Sequence, residues 1–226
     1  MKVTINSFPR CGFGNRVLYY YNLRQEAHKR NCEFGCVAWG GHEFFEGDML
    51  GLEVRGGNSL GFCLGEKFYT YNGLPTRDVF KLKEKPIFSE TTCAIHFRGT
   101  DFHQWNPNAV LGFDYYYDSI QEVKDAVDTF ILFTDDQGLS SITATSEYLS
   151  SQDINFTVAS AENYINDFSF MSECDYIISS PSTFIGKKKK IIHSRNWVED
   201  RASQNDKFWV DLLNGGNDDY SIWRLL

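Results

Sequence analysis

Arg98 follows an apolar run, Cys93-Ala94-Ile95, with His96 two residues before it and Asp101 three residues after it. A guanidinium is a planar, permanently charged fork whose N–H groups match two phosphate oxygens at once. An arginine delivered at the end of an apolar strand stands where open α/β sheets bind ligands, outside the carboxyl ends of the strands. Asp101 is spaced to hold that arginine in place, and His96 to touch a ribose or a base edge. A plainer reading fits the same residues. Arg98 and Asp101 then form a surface ion pair, and His96 is a hydrogen-bonded core histidine.

Two further segments have residue types that do chemistry. Gly12-Phe13-Gly14-Asn15 lies between a predicted strand and a predicted helix. Such a turn turns backbone N–H groups and a helix N-terminus toward an anion, and glycine permits the close approach. It lacks the third glycine of a dinucleotide fingerprint and the Gly-Lys-Ser/Thr of a P-loop. Its plainer reading is an ordinary strand-to-helix turn with Asn15 as N-cap. Asp135-Asp136 closes the apolar run Phe130–Thr134. Two adjacent acids invite a metal, but successive side chains of a strand point to opposite faces. No third ligand is spaced nearby. The six cysteines are scattered without a Cys-x-x-Cys pair, so they read as small hydrophobes of a reducing compartment rather than as a zinc site.

These segments need elements to position them. Lys2–Ile5 alternates and is β-branched, as a strand requires. Arg16–Lys29 runs without Gly or Pro and has apolar residues at helical spacing, and Phe34–Trp39 reads as a second strand. From Gly40 to Lys85 glycines are dense and no long helix is expected. Beyond Pro86 the pattern alternates: strand Thr92–Phe97, helix Tyr115–Val127, strand Phe130–Thr134, helix Leu139–Leu149, strand Asn155–Val158, helix Ile165–Cys174, strand Tyr176–Ser179 and a last strand at Ile191–His193. Phe208–Leu213 reads as a helix closed by Gly215-Gly216, and the apolar tail Ile222–Leu226 is expected to pack. The alternation predicts an α/β fold with mostly parallel sheets. Three segments are expected: an N-terminal α/β lobe over 1–88, a C-terminal lobe over 89–205 and a packing tail over 206–226.

The composition narrows the function. A formal net charge of −8 over 226 residues argues against general nucleic-acid binding, which relies on Lys and Arg to neutralise phosphates. Hydrophobic residues at 42% supply a packed core, yet no apolar run reaches the roughly 20 residues that span a bilayer. The first residues lack the apolar core and cleavage site of a signal peptide, so a cytoplasmic location is expected. Lys187–Lys190 reads as a solvated loop, or as a local positive field drawing in an anion.

Taken in order, the motifs resemble those of the α1,2-, α1,6- and protein O-fucosyltransferases. Those enzymes share a His-x-Arg-x-x-Asp motif, matched by His96, Arg98 and Asp101. Gly12-Phe13-Gly14-Asn15-Arg16 resembles their N-terminal Gly-x-Gly-Asn loop. Phe133-Thr134-Asp135-Asp136 resembles their strand-ending Ser/Thr-Asp-Asp. Asp167 to Asp175, continuing through Ile177 and Ile178 to Ser182-Thr183-Phe184, resembles their last motif. The resemblance covers residues 12–184.

What the resemblance implies is a GT-B architecture of two Rossmann-like lobes facing a cleft, here with a reduced N-terminal lobe. It implies inverting transfer of fucose from GDP-fucose to a glycan hydroxyl, with no metal or other cofactor. Arg98 would neutralise the donor β-phosphate and His96 would lie near the nucleoside. Asp167 would accept from guanine N1–H and the 2-amino group. Ser182, Thr183 and Phe184 would open a helix toward the pyrophosphate. Asn15, within Gly12, Phe13, Gly14 and Arg16, would face the donor sugar or phosphate, and Asp136 would be a structural or donor-contacting acid. No catalytic base stands out. His42, Glu43, Glu46 and Asp48 follow the second strand as candidates, and read equally as a polar loop.

The chain also departs from the family. Many relatives have a second arginine where Gly99 stands here. The last helix is cut short as Phe184-Ile185-Gly186 runs into the lysines, and the N-terminal lobe is short. Those departures keep two alternatives open: a transferase of another GDP-sugar, or a non-catalytic nucleotide- or glycan-binding relative.

Overall fold

The structure, a computed structural model, describes residues 2–8, 11–55, 58–59, 73–74, 76–100, 102–105, 107, 110–159, 164–180, 190–193 and 221–225. It divides into two compact units, one taking in Met1–Glu84 and the other Lys85–Gln204 and Asp219–Leu226. Both are α/β units built on parallel strands.

In the first unit, strand β1 (Lys2–Ile5), helix α1 (Phe13–Lys29) and strand β2 (Glu33–Cys36) form a βαβ start. β1 pairs in parallel with β2, Ile5 opposite Cys36, and on its other side with β3 (Asn58–Ser59). α1 begins at Phe13 rather than at Arg16. Its N-cap is Gly12, with no side-chain cap, and Asn15 lies in the first turn. The expectation of Asn15 as N-cap is therefore corrected. Packing sets this early start: Phe13 is buried and stacks on Trp39, with ring centroids 5.9 Å apart. Trp39 also stacks on Tyr20 at 4.8 Å and on Phe45 at 6.3 Å. The same burial of Trp39 in an aromatic core ends β2 at Cys36, short of the expected Trp39. α1 closes on Asn31 in the left-handed region, φ 47°, where the Asn31 and Cys32 N–H groups donate to the carbonyls of His28 and Ala27. Only short helices, α2 (Gly41–Phe44) and α3 (Thr76–Val79), occur among the described residues of the glycine-dense stretch.

The second unit is a six-stranded parallel sheet. Its strands are β4 (Thr92–Phe97), β5 (Thr129–Thr134), β6 (Phe156–Val158), β7 (Tyr176–Ser179), β8 (Lys190–His193) and β9 (Ser221–Leu225). Between them run α4 (Phe102–Trp105), α5 (Phe113–Gln121), α6 (Ser140–Ser151) and α7 (Tyr164–Glu173). α5 ends at Gln121, before the expected Val127; a 3-10 turn at Lys124–Ala126 follows, and Val123 and Val127 drop into the core. The spatial order is β6-β5-β4-β7-β8-β9. Counted along this unit alone, that is the order 3-2-1-4-5-6 of a doubly wound sheet, which reverses direction between its first and fourth strands. Here the reversal falls between β4 and β7. β4 is central and buried at all six positions, as a strand covered on both faces must be. The apolar tail pairs in parallel with β8 as β9, so Ile191–His193 is not the last strand. The segment expected to form a helix at Phe208–Leu213 lies outside the described residues.

Candidate functional site at the carboxyl end of the second sheet

The β4–β7 reversal leaves the carboxyl ends of two adjacent strands leading away from each other, and at such a point a doubly wound sheet opens a crevice. Phe97 lies opposite Thr134 of β5, and His96 opposite Ser179 of β7. The next residues along, Arg98 and Asp135, are therefore neighbours by register. Arg98 Nη1 donates to Asp135 Oδ2 at 2.8 Å, with the two side chains 28% and 24% exposed. The Gly99 N–H donates to Asp135 Oδ1 at 2.8 Å and the Thr100 hydroxyl to Oδ2 at 2.7 Å. The Arg98 guanidinium also lies over the Phe102 ring, 5.5 Å from its centroid. Among the described residues Asp135 is the carboxylate that holds Arg98; Asp101, which the sequence offered for that role, lies outside them.

The adjacent acid points elsewhere, as expected of neighbours at a strand end. Asp136 Oδ1 accepts from the Gly138 N–H at 2.9 Å, closing its own turn, and Oδ2 lies 3.9 Å from His103 Nε2. Gly99 is packed directly against it. A Cβ added there would come within 2.9 Å of Asp136 Cβ and Leu139 Cδ1. A side chain at position 99 therefore requires Asp136 or Leu139 to shift.

His96 is buried, and its Nδ1 pairs with the Ser180 hydroxyl at 2.8 Å. Its carbonyl accepts from the Ser180 N–H at 3.1 Å and from the Tyr116 hydroxyl at 3.4 Å. Burial first, and then the charge of Arg98, push the imidazole down to about 4, against an opposing pull from Asp135. At neutral pH the ring is uncharged and ties β4 to the start of the segment after β7. Tyr115 adds a second tie, donating to the Ser179 carbonyl at 2.9 Å.

Asp167 lies in the first turn of α7. That helix leads from β6 back to β7 in a parallel sheet, so its N-terminal turn belongs to the carboxyl side. Partial burial raises its carboxyl to about 6. Ser182, Thr183 and Phe184 lie outside the described residues.

The remaining candidates belong to the first unit. Gly12, Phe13, Gly14, Asn15 and Arg16 form the N-terminal turn of α1, which has no acidic residue. Burial raises the Cys11 thiol, while the charge and hydrogen bond of Arg16 pull it down. Among the proposed bases, Glu43, Glu46 and Asp48 are exposed and His42 is half-buried. Asp48 is committed to a turn, its Oδ1 accepting from the Leu50 and Gly51 N–H groups at 3.0 and 2.8 Å.

Sequence reasoning read Asp135 only as half of an acidic pair, with no role of its own, and missed His103. The register of β4 against β5 singles out the first; nothing in the residue pattern marked the second. Among the described residues, no group of three or more His, Cys, Asp or Glu is placed to hold a metal ion. Nor is any helix among them long and apolar enough to cross a membrane. Cys36, Cys93 and Cys174 are buried, and Cys11 and Cys32 are partly exposed. No family model matches the chain, and neither a curated protein nor a solved structure does.

Proposed function

We propose that the chain is an inverting glycosyltransferase that moves fucose from GDP-fucose to a hydroxyl of a glycan. The observation that carries this reading is Arg98, fixed by Asp135 at the carboxyl end of β4 where the sheet reverses direction. Four ordered motifs resembling those of fucosyltransferases add to it. The two parallel-sheet units suit the GT-B class that the resemblance implies, with the donor held by the second unit.

In this reaction the acceptor oxygen bonds to C1 of fucose and the C1–O bond to the β-phosphate breaks. The bond's electron pair leaves with GDP, and the hydroxyl proton passes to a base. Negative charge grows on the β-phosphate as GDP departs, and a guanidinium already held in place stabilises it without reorganising. Asp167 suits the guanine edge. Once ionised, it accepts from two N–H groups that adenine does not offer, so an adenine nucleotide leaves it unpaired.

The test is calorimetric titration with GDP and with ADP in the presence of EDTA, repeated on Arg98→Ala. GDP is expected to bind and ADP not, and Arg98→Ala to weaken GDP by about 10–100-fold, as for loss of a charge-assisted contact. Folded protein that ignores GDP overturns the proposal.

Gly99 favours a second reading. With glycine rather than arginine following Arg98, the segment after β4 offers one cation fewer to the charge of a departing diphosphate. GDP binding without release of fucose from GDP-fucose would make the chain a nucleotide-binding relative. Competition between GDP-fucose and GDP-mannose separates fucose from another sugar.

A further inference from the structure

We infer that Asp135, and not Asp136, is the positioning residue of this site, holding Arg98 and the Gly99–Thr100 segment in the arrangement that meets the donor phosphate. The inference rests on the reading of Arg98 as the phosphate-binding cation. A single carboxylate from the end of β5 gathers three donors from the segment after β4: Arg98 Nη1, the Gly99 N–H and the Thr100 hydroxyl, all within 2.8 Å. A carboxylate has the lone pairs for all of them. They come from three consecutive residues, so one group fixes both the backbone path and the side chain. An arginine left to itself has much rotamer freedom to lose on binding an anion. Here that ordering is done before any ligand arrives. The cause is the parallel register, which sets Phe97 against Thr134 and so brings the following residues side by side. Asp136 is spent on its own turn, and among the described residues it accepts no hydrogen bond from the Arg98–Thr100 segment.

A coupling measurement on the whole chain tests this. GDP affinity and thermal midpoint are measured for the unaltered protein, Asp135→Asn, Arg98→Lys and the double variant. Asparagine cannot accept from all three donors, so Asp135→Asn is expected to weaken GDP by about 10–100-fold. In the Arg98→Lys background the same change is expected to cost less than about threefold, because the guanidinium fork that Asp135 and its segment orient is gone. An undiminished affinity in Asp135→Asn, or equal losses in both backgrounds, overturns the inference, since a merely structural role weakens both alike.

A second arm needs neither ligand nor variant. NMR relaxation of the Arg98 Nε–H in the free, unaltered protein is expected to show a side chain as ordered as the backbone. A mobile guanidinium overturns the inference, and this arm decides the matter if Asp135→Asn fails to fold. Absence of GDP binding in the unaltered protein, with Arg98 ordered, sinks the functional reading while leaving Asp135 as the group that orders Arg98.

Discussion

Gly99 shows how a single residue can be misread from sequence. Against the fucosyltransferase motif it looks like a lost arginine. In the fold it is packed against the turn after β5. Leu139 Cδ1 is a side-chain end that can shift, but Asp136 Cβ is tied to the backbone. Gly99→Ala is expected to cost about 1–3 kcal/mol, the usual range for overpacking a filled site, and to weaken GDP as the Arg98 segment is pushed away. Urea unfolding measures the first effect and calorimetry the second; a change within about 0.5 kcal/mol would mean that the neighbours yield freely. Arg98 was legible because an arginine straight after an apolar strand has few structural uses. Asp135 was not. Two adjacent acids give one and the same sequence signal, and only the direction of the chain leaving β5 tells which of them turns toward β4.

Elements were legible where burial repeats with a clear period. β4 and β7 were read to the residue, because a continuous apolar run bounded by polar residues is what a strand covered on both faces looks like. The start of α1 and the end of β2 were not, because the aromatic packing of Phe13 and Trp39 across the first unit decides them, and no local window contains both. β9 was missed as a strand since its partner β8 lies some thirty residues earlier in the chain. The central position of β4 has an energetic consequence. Ile95 is fully buried in the core of the second unit, among Leu132 and Ile178 of the neighbouring strands. Ile95→Ala is expected to cost about 2–5 kcal/mol, the transfer and cavity terms together. Val158, 47% exposed on the edge strand β6, is the control, and Val158→Ala is expected to stay within about 0.5 kcal/mol. Chemical denaturation of both variants checks the contrast. Equal losses would mean that β4 is not the centre of the sheet.

Two groups of the second unit, His96 and Asp167, contribute in opposite directions to the stability of the whole molecule against acid. The folded His96 refuses a proton until about pH 4, whereas the unfolded chain takes one near 6.5. Across that window the unfolded state binds more protons, so stability falls as pH falls. Asp167 does the reverse: it holds its proton up to about pH 6 in the fold and only to 3.8 in the unfolded chain. The folded state then binds more protons, and stability grows as pH falls through 6. The two windows nearly coincide, so one effect masks the other. Asp167→Asn removes the second and leaves the first. Its thermal midpoint is therefore expected to drop more steeply than that of the unaltered protein as pH is lowered from 6.5 to 4, every other carboxylate being common to both. GDP adds a further sign. On the proposed nucleotide reading Asp167 accepts from guanine only when ionised, so the rise in midpoint that GDP produces is expected to grow between about pH 5 and about pH 7, and to lose that dependence in Asp167→Asn. Thermal melts with and without GDP across this range measure both effects. A GDP shift that is flat with pH in the unaltered protein would remove Asp167 from the nucleotide site, while a parallel acid response in protein and variant would mean that its carboxyl titrates in its ordinary range.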